Sequence, residues 1–406
     1  MEAVGRGRCQ AGTDEEKAKI PAVPQHPIPL TQPTLDEEEE RAVLRVLRSR
    51  WVTQGPEIRA FEEQFACAIG TSHAIAVANG TLALEIAYAA SGLGPGDEVL
   101  LPAITFVACW NAVLRAGAVP VLADVQGPGD LTLSPASVES LITERTRLVI
   151  TMPHGGFPPD MQAFEELSRR RGVTIIEDAC HAPLAELNGR RIGSFGLAGT
   201  WSFYGNKNMT TGEGGMITTN DAAFAEKCRL LRSHGLTSGT WQRETGEGPA
   251  LYDVLQTGTN ARMDELRAAI GLVQLEKLPS ATAARRRNAE HLRELLAPLG
   301  DRGLEIPYVH HRGTSAHHLF CVLLPPDAER EAVMSRLREE GIQTSVHYRP
   351  IYEFSAARGI HDEEEMRRRL PVTAKVAPRL LTLPLGPRQT AEDNERIAEA
   401  LGRALG

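Results

Sequence analysis

Short apolar runs and stretches with apolar positions three and four residues apart alternate along this chain. The runs at 74–78, 98–101, 119–123, 148–152, 173–176 and 215–218 predict short buried strands. Helical sequence falls between several of them, beginning with 81–90. Strands alternating with helices predict a mostly parallel sheet covered on both faces. Ahead of this pattern, Ala42, Val43, Leu44, Val46 and Leu47 give a helix its apolar face, and Thr34 with Glu37 offers a capping box. Beyond Arg262 another helix is expected, with Leu266, Ala269, Ile270 and Val273 on one face. Pro279 should interrupt it, and helical sequence then resumes to about Ala297. A second, smaller α/β pattern follows: a strand at 319–324, a helix at 329–341, a strand near 344–348 and a terminal helix from Ala391. The expected organisation is a mobile tail at 1–27, a large domain at 28–284 and a small C-terminal α/β domain at 285–406.

The length of 406 residues suits two domains, and 42% hydrophobic with 24% charged residues suits a soluble protein with a full core. A net charge of -8 argues against a nucleic-acid partner. The short runs Arg169–Arg171, Arg285–Arg287 and Arg367–Arg369 are mixed with acids and read as solvated helix faces. Six cysteines lie far apart without a CxxC pair, which excludes a zinc pattern or a small disulfide framework. Free thiols in a reducing cytosol, and hence a cytoplasmic protein, are the simpler account. The N-terminus is polar through Lys19 and lacks a signal-peptide apolar region. The apolar stretch 99–123 is broken by Pro102, Asn111, Arg115 and Pro120, so it reads as strand then helix, with no membrane span.

Candidate chemistry concentrates at three turns. In Ser202-Phe-Tyr-Gly-Asn-Lys207-Asn-Met-Thr-Thr-Gly212-Glu-Gly-Gly215 a lysine sits in a polar, glycine-rich turn. The plain alternative is a surface lysine in a loop. The glycines, however, permit close approach to a ligand, and Ser202 could bond a phosphate oxygen. Lysines in dry pockets or near cations become amine nucleophiles. Upstream, the strand in Val173-Thr-Ile-Ile-Glu177-Asp178-Ala-Cys-His181 ends in two acids and a histidine. Ligands of open α/β sheets bind outside the carboxyl ends of the strands, where Asp178 could pair with a buried positive charge. A helix N-cap for Asp178 and a packed ring for His181 are the plain alternatives. Asn79-Gly80-Thr81, between strand and helix, is either an anion site or an ordinary turn and cap.

Together these motifs resemble the DegT/DnrJ/EryC1/StrS family of sugar aminotransferases, which depend on pyridoxal 5'-phosphate (PLP). The resemblance runs from about Ile28 to Leu401. It includes Trp51-Val-Thr-Gln-Gly55-Pro56, Gly94-Pro-Gly-Asp-Glu-Val, Pro102-Ala-Ile-Thr-Phe-Val, Gly258-Thr-Asn260-Ala-Arg-Met-Asp-Glu and Gly341-Ile-Gln-Thr-Ser-Val-His347-Tyr348. It implies the fold type I architecture of PLP-dependent transferases, with a mostly parallel, mixed seven-stranded sheet flanked by helices and a smaller C-terminal α/β domain. Position by position, Lys207 would be the Schiff-base lysine and proton shuttle, and Asp178 the partner of the pyridine nitrogen. His181 would lie near the PLP hydroxyl and Phe106 would stack on the ring. Gly80, Thr81 and Ser202 would cradle the phosphate. Asn260 would reach the phosphate of the neighbouring subunit, which implies a homodimer with shared sites.

The implied reaction moves an amine from glutamate or glutamine to a keto sugar, a nucleotide-linked 3-keto or 4-keto deoxyhexose being the first choice. An aminocyclitol (inosose-type) acceptor is the alternative, and an aminobenzoate-type synthase a remoter one. Dehydratase relatives commonly carry histidine at the lysine position, so Lys207 argues against a PLP-dependent sugar dehydratase. Its presence with Asp178 argues likewise against a non-catalytic relative. Two places depart from the family's pattern: Met152-Pro153-His154-Gly155-Gly156, and Cys109 where Thr or Ser is usual. Both are expected to bear on the substrate side without touching the core PLP set.

Overall fold

The computed structural model describes residues 27–406 apart from 248 and 250, so the tail expected at 1–27 lies outside the described residues except for Pro27. Helix α1 (Glu37–Ser49) starts from a capping box at Asp36 and Glu39, two residues beyond the expected pair Thr34 and Glu37. The shift has a tertiary cause. Glu39 is held by Gln274 Nε2 at 2.8 Å and Lys277 Nζ at 2.9 Å, while the Thr34 carbonyl accepts from Gln274 at 2.7 Å and stays in extended chain.

Helix α2 (Pro56–Ile69) has proline in its first turn, and the buried Glu265 accepts from the N–H groups of Gly55, Glu57 and Ile58. The central sheet follows: β1 (His73–Val77), β2 (Glu98–Pro102), β3 (Val119–Ala123), β4 (Thr146–Thr151), β5 (Thr174–Asp178), β6 (Ala198–Ser202) and β7 (Gly215–Thr219). Their order is β1-β7-β6-β5-β4-β2-β3, and β7 alone runs antiparallel to its neighbours. Helices α3 (Gly80–Ala90) and α4 (Val107–Arg115) follow β1 and β2.

Alternation along the strands divides the interior. Ile75, Val77, Val99 and Leu101 face one core with Leu84, Tyr88 and Trp110. Ala74, Ala76 and Leu100 face the other with Phe61, Phe65, Trp201 and Phe203. Each of those fully buried rings contributes about 2–3 kcal/mol by leaving water. Strand β6 is the member that apolar pattern did not reveal, because Ala198-Gly-Thr-Trp-Ser holds little β-branched apolar sequence. Its one large side chain, Trp201, packs edge-on against Phe65 at 5.2 Å.

Helix α5 (Glu265–Leu296) is continuous through Pro279, contrary to the expected break. Proline costs a helix interior about 3 kcal/mol, and packing overrides that here. Buried Leu278 and Thr282 flank the site, and α5 packs against α1 and α2 at one end. At its other end, Leu292 and Leu296 join a third core with Ile28, the strands β8 (Phe320–Leu323) and β9 (Leu380–Leu383), and the terminal helix Ala391–Ala404. The strand expected near 344–348 is reduced to a single bridge between Ser345 and Thr382. Beyond it the His347 side chain stays with Thr382, and that of Tyr348 turns to a partner described below. No helix among the described residues is long and apolar enough to cross a membrane.

Candidate active site

Sheet register brings three of the predicted turns together. Gly215, at the start of β7, lies opposite both Val77 and Ser202, the last residues of β1 and β6. A methyl group on Gly215 would come within 2.5 Å of the Asn79 carbonyl, and one on Gly80 within 2.8 Å of Ser202 Cβ. Glycine at both positions is what lets the start of α3 touch the β6–β7 connection. The Asn79 side chain caps α3 through Leu82 N at 2.9 Å. The first turn of α3, with the N–H groups of Gly80 and Thr81 that a helix start leaves free of intrahelical partners, thus lies beside Ser202 at the positive end of the helix.

Lys207 rides on that β6–β7 connection. Phe203 N donates to Gly214 O at 2.8 Å, Thr211 N to Phe203 O at 3.0 Å and Lys207 N to Tyr204 O at 3.0 Å. Asn208 Nδ2 ties the same turn to Ala316 O at 2.7 Å. The lysine itself is half-buried.

Asp178 ends β5, which pairs with β6 through Thr200. Asp178 is 4% exposed, yet the hydrogen bonds its carboxylate accepts come from neutral groups, Cys109 Sγ at 2.8 Å and Cys180 N at 3.3 Å. The expectation that Cys109 lies apart from the core set is therefore wrong: α4 delivers its thiol directly to Asp178. Phe106, the N-cap residue of the same helix, presents a 51% exposed ring 5.9 Å from that of Tyr348. His181 is buried; its Nε2 bonds Tyr348 Oη at 2.8 Å and its Nδ1 has no partner. Burial, then the nearby Lys207 ammonium, holds this imidazole well below its ordinary pKa, so it is neutral near pH 7.

Several neighbours were not foreseen. The His318 ring lies 4.3 Å from that of His181, tilted by 42°, and bonds Asn208 Oδ1 at 2.9 Å. His154 is fully buried between Tyr308 Oη and the His347 carbonyl, both at 2.7 Å, and burial pushes its pKa down to about 4. His347 bonds Thr382 at 3.0 Å and is likewise pushed by burial to about 4. Tyr348 belongs to a motif quoted above, but nothing local marks it as a partner of His181. Asn260 is exposed on a stretch beside β1, where Ala78 N donates to Ala261 O at 2.8 Å. The structure thus gathers Gly80, Thr81, Phe106, Asp178, His181, Ser202 and Lys207 at the strand ends and leaves the Asn260 side chain pointing to solvent.

Arg285 also departs from expectation. It is 2% exposed rather than on a solvated face, because its guanidinium donates to Leu385 O at 2.9 Å and to Thr31 Oγ1 at 3.0 Å.

The donor set fits PLP: an amine, a buried acid met only by neutral donors, an open aromatic face, an unpartnered imidazole nitrogen and a helix end for the phosphate.

Fold and site together are those of an α/β aminotransferase. The chain belongs to the DegT/DnrJ/EryC1/StrS aminotransferase family, a family of PLP-dependent sugar aminotransferases, whose model matches residues 33–402. It is similar to the spore coat polysaccharide biosynthesis protein SpsC of Bacillus subtilis (strain 168), with 34% identity over 380 residues, 93% of this chain and 96% of that protein. Among solved structures, DesV of S. venezuelae shares 34% identity at a TM-score of 0.84, over 93% of this chain and 98% of that one. The Helicobacter pylori aminotransferase PseC, involved in the biosynthesis of pseudoaminic acid, shares 26% identity at a TM-score of 0.85, over 94% and 99%.

Proposed function

We propose that this protein uses PLP on Lys207 to transfer an amine from glutamate to a keto sugar, a nucleotide-linked 3-keto or 4-keto deoxyhexose. The observation that carries this reading is the convergence of Lys207, Asp178 and the start of α3 at one end of the sheet. PLP, when bound, supplies an electron sink for charge developing on the carbon that bears the amine. Lys207 Nζ tethers the cofactor and, once displaced, moves a proton to and from that carbon. Asp178 keeps the ring nitrogen protonated. Neutral His181 stands at the ring hydroxyl, with Tyr348 holding its other nitrogen. Phe106 covers one ring face, while Gly80, Thr81 and Ser202 bind the phosphate.

Exposed Asn260 suits a residue that serves the phosphate of a second copy, in a homodimer with a self-complementary interface. A cytoplasmic location, where thiols stay reduced, suits this reading and the free cysteines Cys67, Cys109, Cys180, Cys228 and Cys321. The test is a panel of nucleotide-linked keto sugars and inososes offered with glutamate or glutamine, products being read by mass. Amination of a keto deoxyhexose nucleotide is expected; amination of inososes alone would move the assignment to aminocyclitols.

A further inference from the structure

The two departures from the family's sequence pattern meet inside the protein. Thr105 Oγ1 lies 3.6 Å from Cys109 Sγ and 3.3 Å from Met152 Sδ, and Cys109 Sγ lies 2.8 Å from Asp178 Oδ2. A line of two sulfurs and one hydroxyl thus backs the acid that faces the ligand. Every member is buried. The groups facing Cys109 are Asp178 and Cys180 from the end of β5, Thr105 ahead of α4, and Tyr88 from α3. The Tyr88 hydroxyl is buried without a hydrogen-bond partner, so it does not compete for the carboxylate.

We propose that Cys109 is a positioning residue for Asp178, its S–H hydrogen bond fixing Oδ2 so that Oδ1 is presented to the cofactor's ring nitrogen. This rests on the PLP reading given above. A carboxylate held only by Cys180 N at 3.3 Å would be free to turn about its terminal torsion, which is broad for aspartate. A thiol suits the task because it is a weak donor: it orients the carboxylate while leaving most of its charge for the ring nitrogen. Burial first, and then the Asp178 charge, push the Cys109 thiol well above its ordinary pKa, so the proton stays on sulfur throughout the working range.

The S–H stretch falls in a spectral window free of other protein bands, so the bond can be read directly by infrared difference spectroscopy. Wild type minus Cys109→Ser isolates one thiol. In the cofactor-free protein that band is expected below the frequency of a free thiol. On adding PLP it should move upward, as Asp178 shares its charge with the ring nitrogen. A band at the frequency of a free thiol, unmoved by PLP, overturns the proposal and leaves the PLP reading standing.

Functionally, Cys109→Ala should slow the half-reaction with glutamate about tenfold with little change in its KM, while Cys109→Ser, which keeps a donor, stays within about threefold of wild type. The pH at which the bound cofactor's visible absorbance changes should move in Cys109→Ala and not in Cys109→Ser. Equal rates and equal absorbance titrations in a folded Cys109→Ala variant overturn the positioning role. Should that variant fail to fold, the infrared measurement, which needs only the serine variant, still decides. If wild type retains no PLP absorbance after gel filtration, the cofactor reading falls, and the positioning role with it.

Discussion

Asp178 ends β5 and Lys207 rides the connection that leaves the adjoining β6, whereas Tyr348 and His318 reach the same site from loops beyond residue 300. The first wall is set by strand register: once β5, β6 and β7 pair, the acid and the lysine turn have no freedom to be elsewhere. The second wall is held by single side-chain bonds, Tyr348 to His181 and His318 to Asn208. A register-fixed wall suits groups that must not move relative to the cofactor. A wall hung on individual hydrogen bonds suits tuning and adjustment, and substitutions there should cost less.

The largest effect belongs to the first wall. Lys207→Ala should abolish the half-reaction with glutamate and the borohydride-trapped covalent attachment of PLP, read by mass; full transamination by this variant would refute the assignment. Asp178→Asn comes next. Removing one partner of a buried charged pair costs about 3–5 kcal/mol, so turnover should fall by roughly two to four orders of magnitude. Bound PLP, measured after gel filtration, should fall much less because the phosphate contacts remain. Equal losses of cofactor and activity would break the proposed division of roles.

On the second wall, Tyr348→Phe removes the hydroxyl from His181 Nε2 and leaves both imidazole nitrogens without partners. A loss of about five- to tenfold in kcat/KM, with PLP retained, is expected. A loss as deep as that of Asp178→Asn would erase the distinction between the walls.

The smallest effect is on stability. His154 is held neutral by burial, with its pKa pushed from the ordinary 6.5 down to about 4. Between these values the unfolded chain binds a proton that the folded one does not. Stability should therefore be level above about pH 6.5 and decline as the pH falls toward 4. His154→Gln should remove about 1.4 kcal/mol per pH unit from that slope, read from urea unfolding at pH 5 and pH 8. An unchanged slope would show that other groups carry the acid sensitivity.

The difference between the walls is also a difference in legibility. Apolar runs with turn residues at their ends marked β1, β5 and β7, and a family resemblance supplied roles for the residues on those ends. Strand β6 escaped because Gly199 and Ser202 carry no strand signal and Thr200 is not apolar, so no apolar run forms; its neighbours make it a strand. Cys109 was legible as a departure from a pattern but not as a neighbour of Asp178, 69 residues away. The bond between Tyr348 and His181 spans 167 residues. Local periodicity holds no information about such pairings, which arise when separately formed elements dock. Pro279 shows the same limit from the other side, since its helix-breaking tendency was outweighed by the packing of α5 at both ends.

The first described residues are stitched into the last part of the chain. Ile28 exchanges backbone bonds with Gly341 and Gln343, Leu385 N donates to Leu30 O at 3.0 Å, and Arg285 holds Thr31 and Leu385 at once. During synthesis, then, the opening segment emerges long before anything exists for it to pair with. At about 5–20 residues per second, residue 385 follows residue 28 by roughly 20–70 s. When Arg285 emerges, Thr31 is already made, but the other acceptor of its guanidinium, the Leu385 carbonyl, lies 100 residues ahead. Burying the guanidinium, and with it closing the third core, belongs to the last stage of folding, after release of nearly the whole chain.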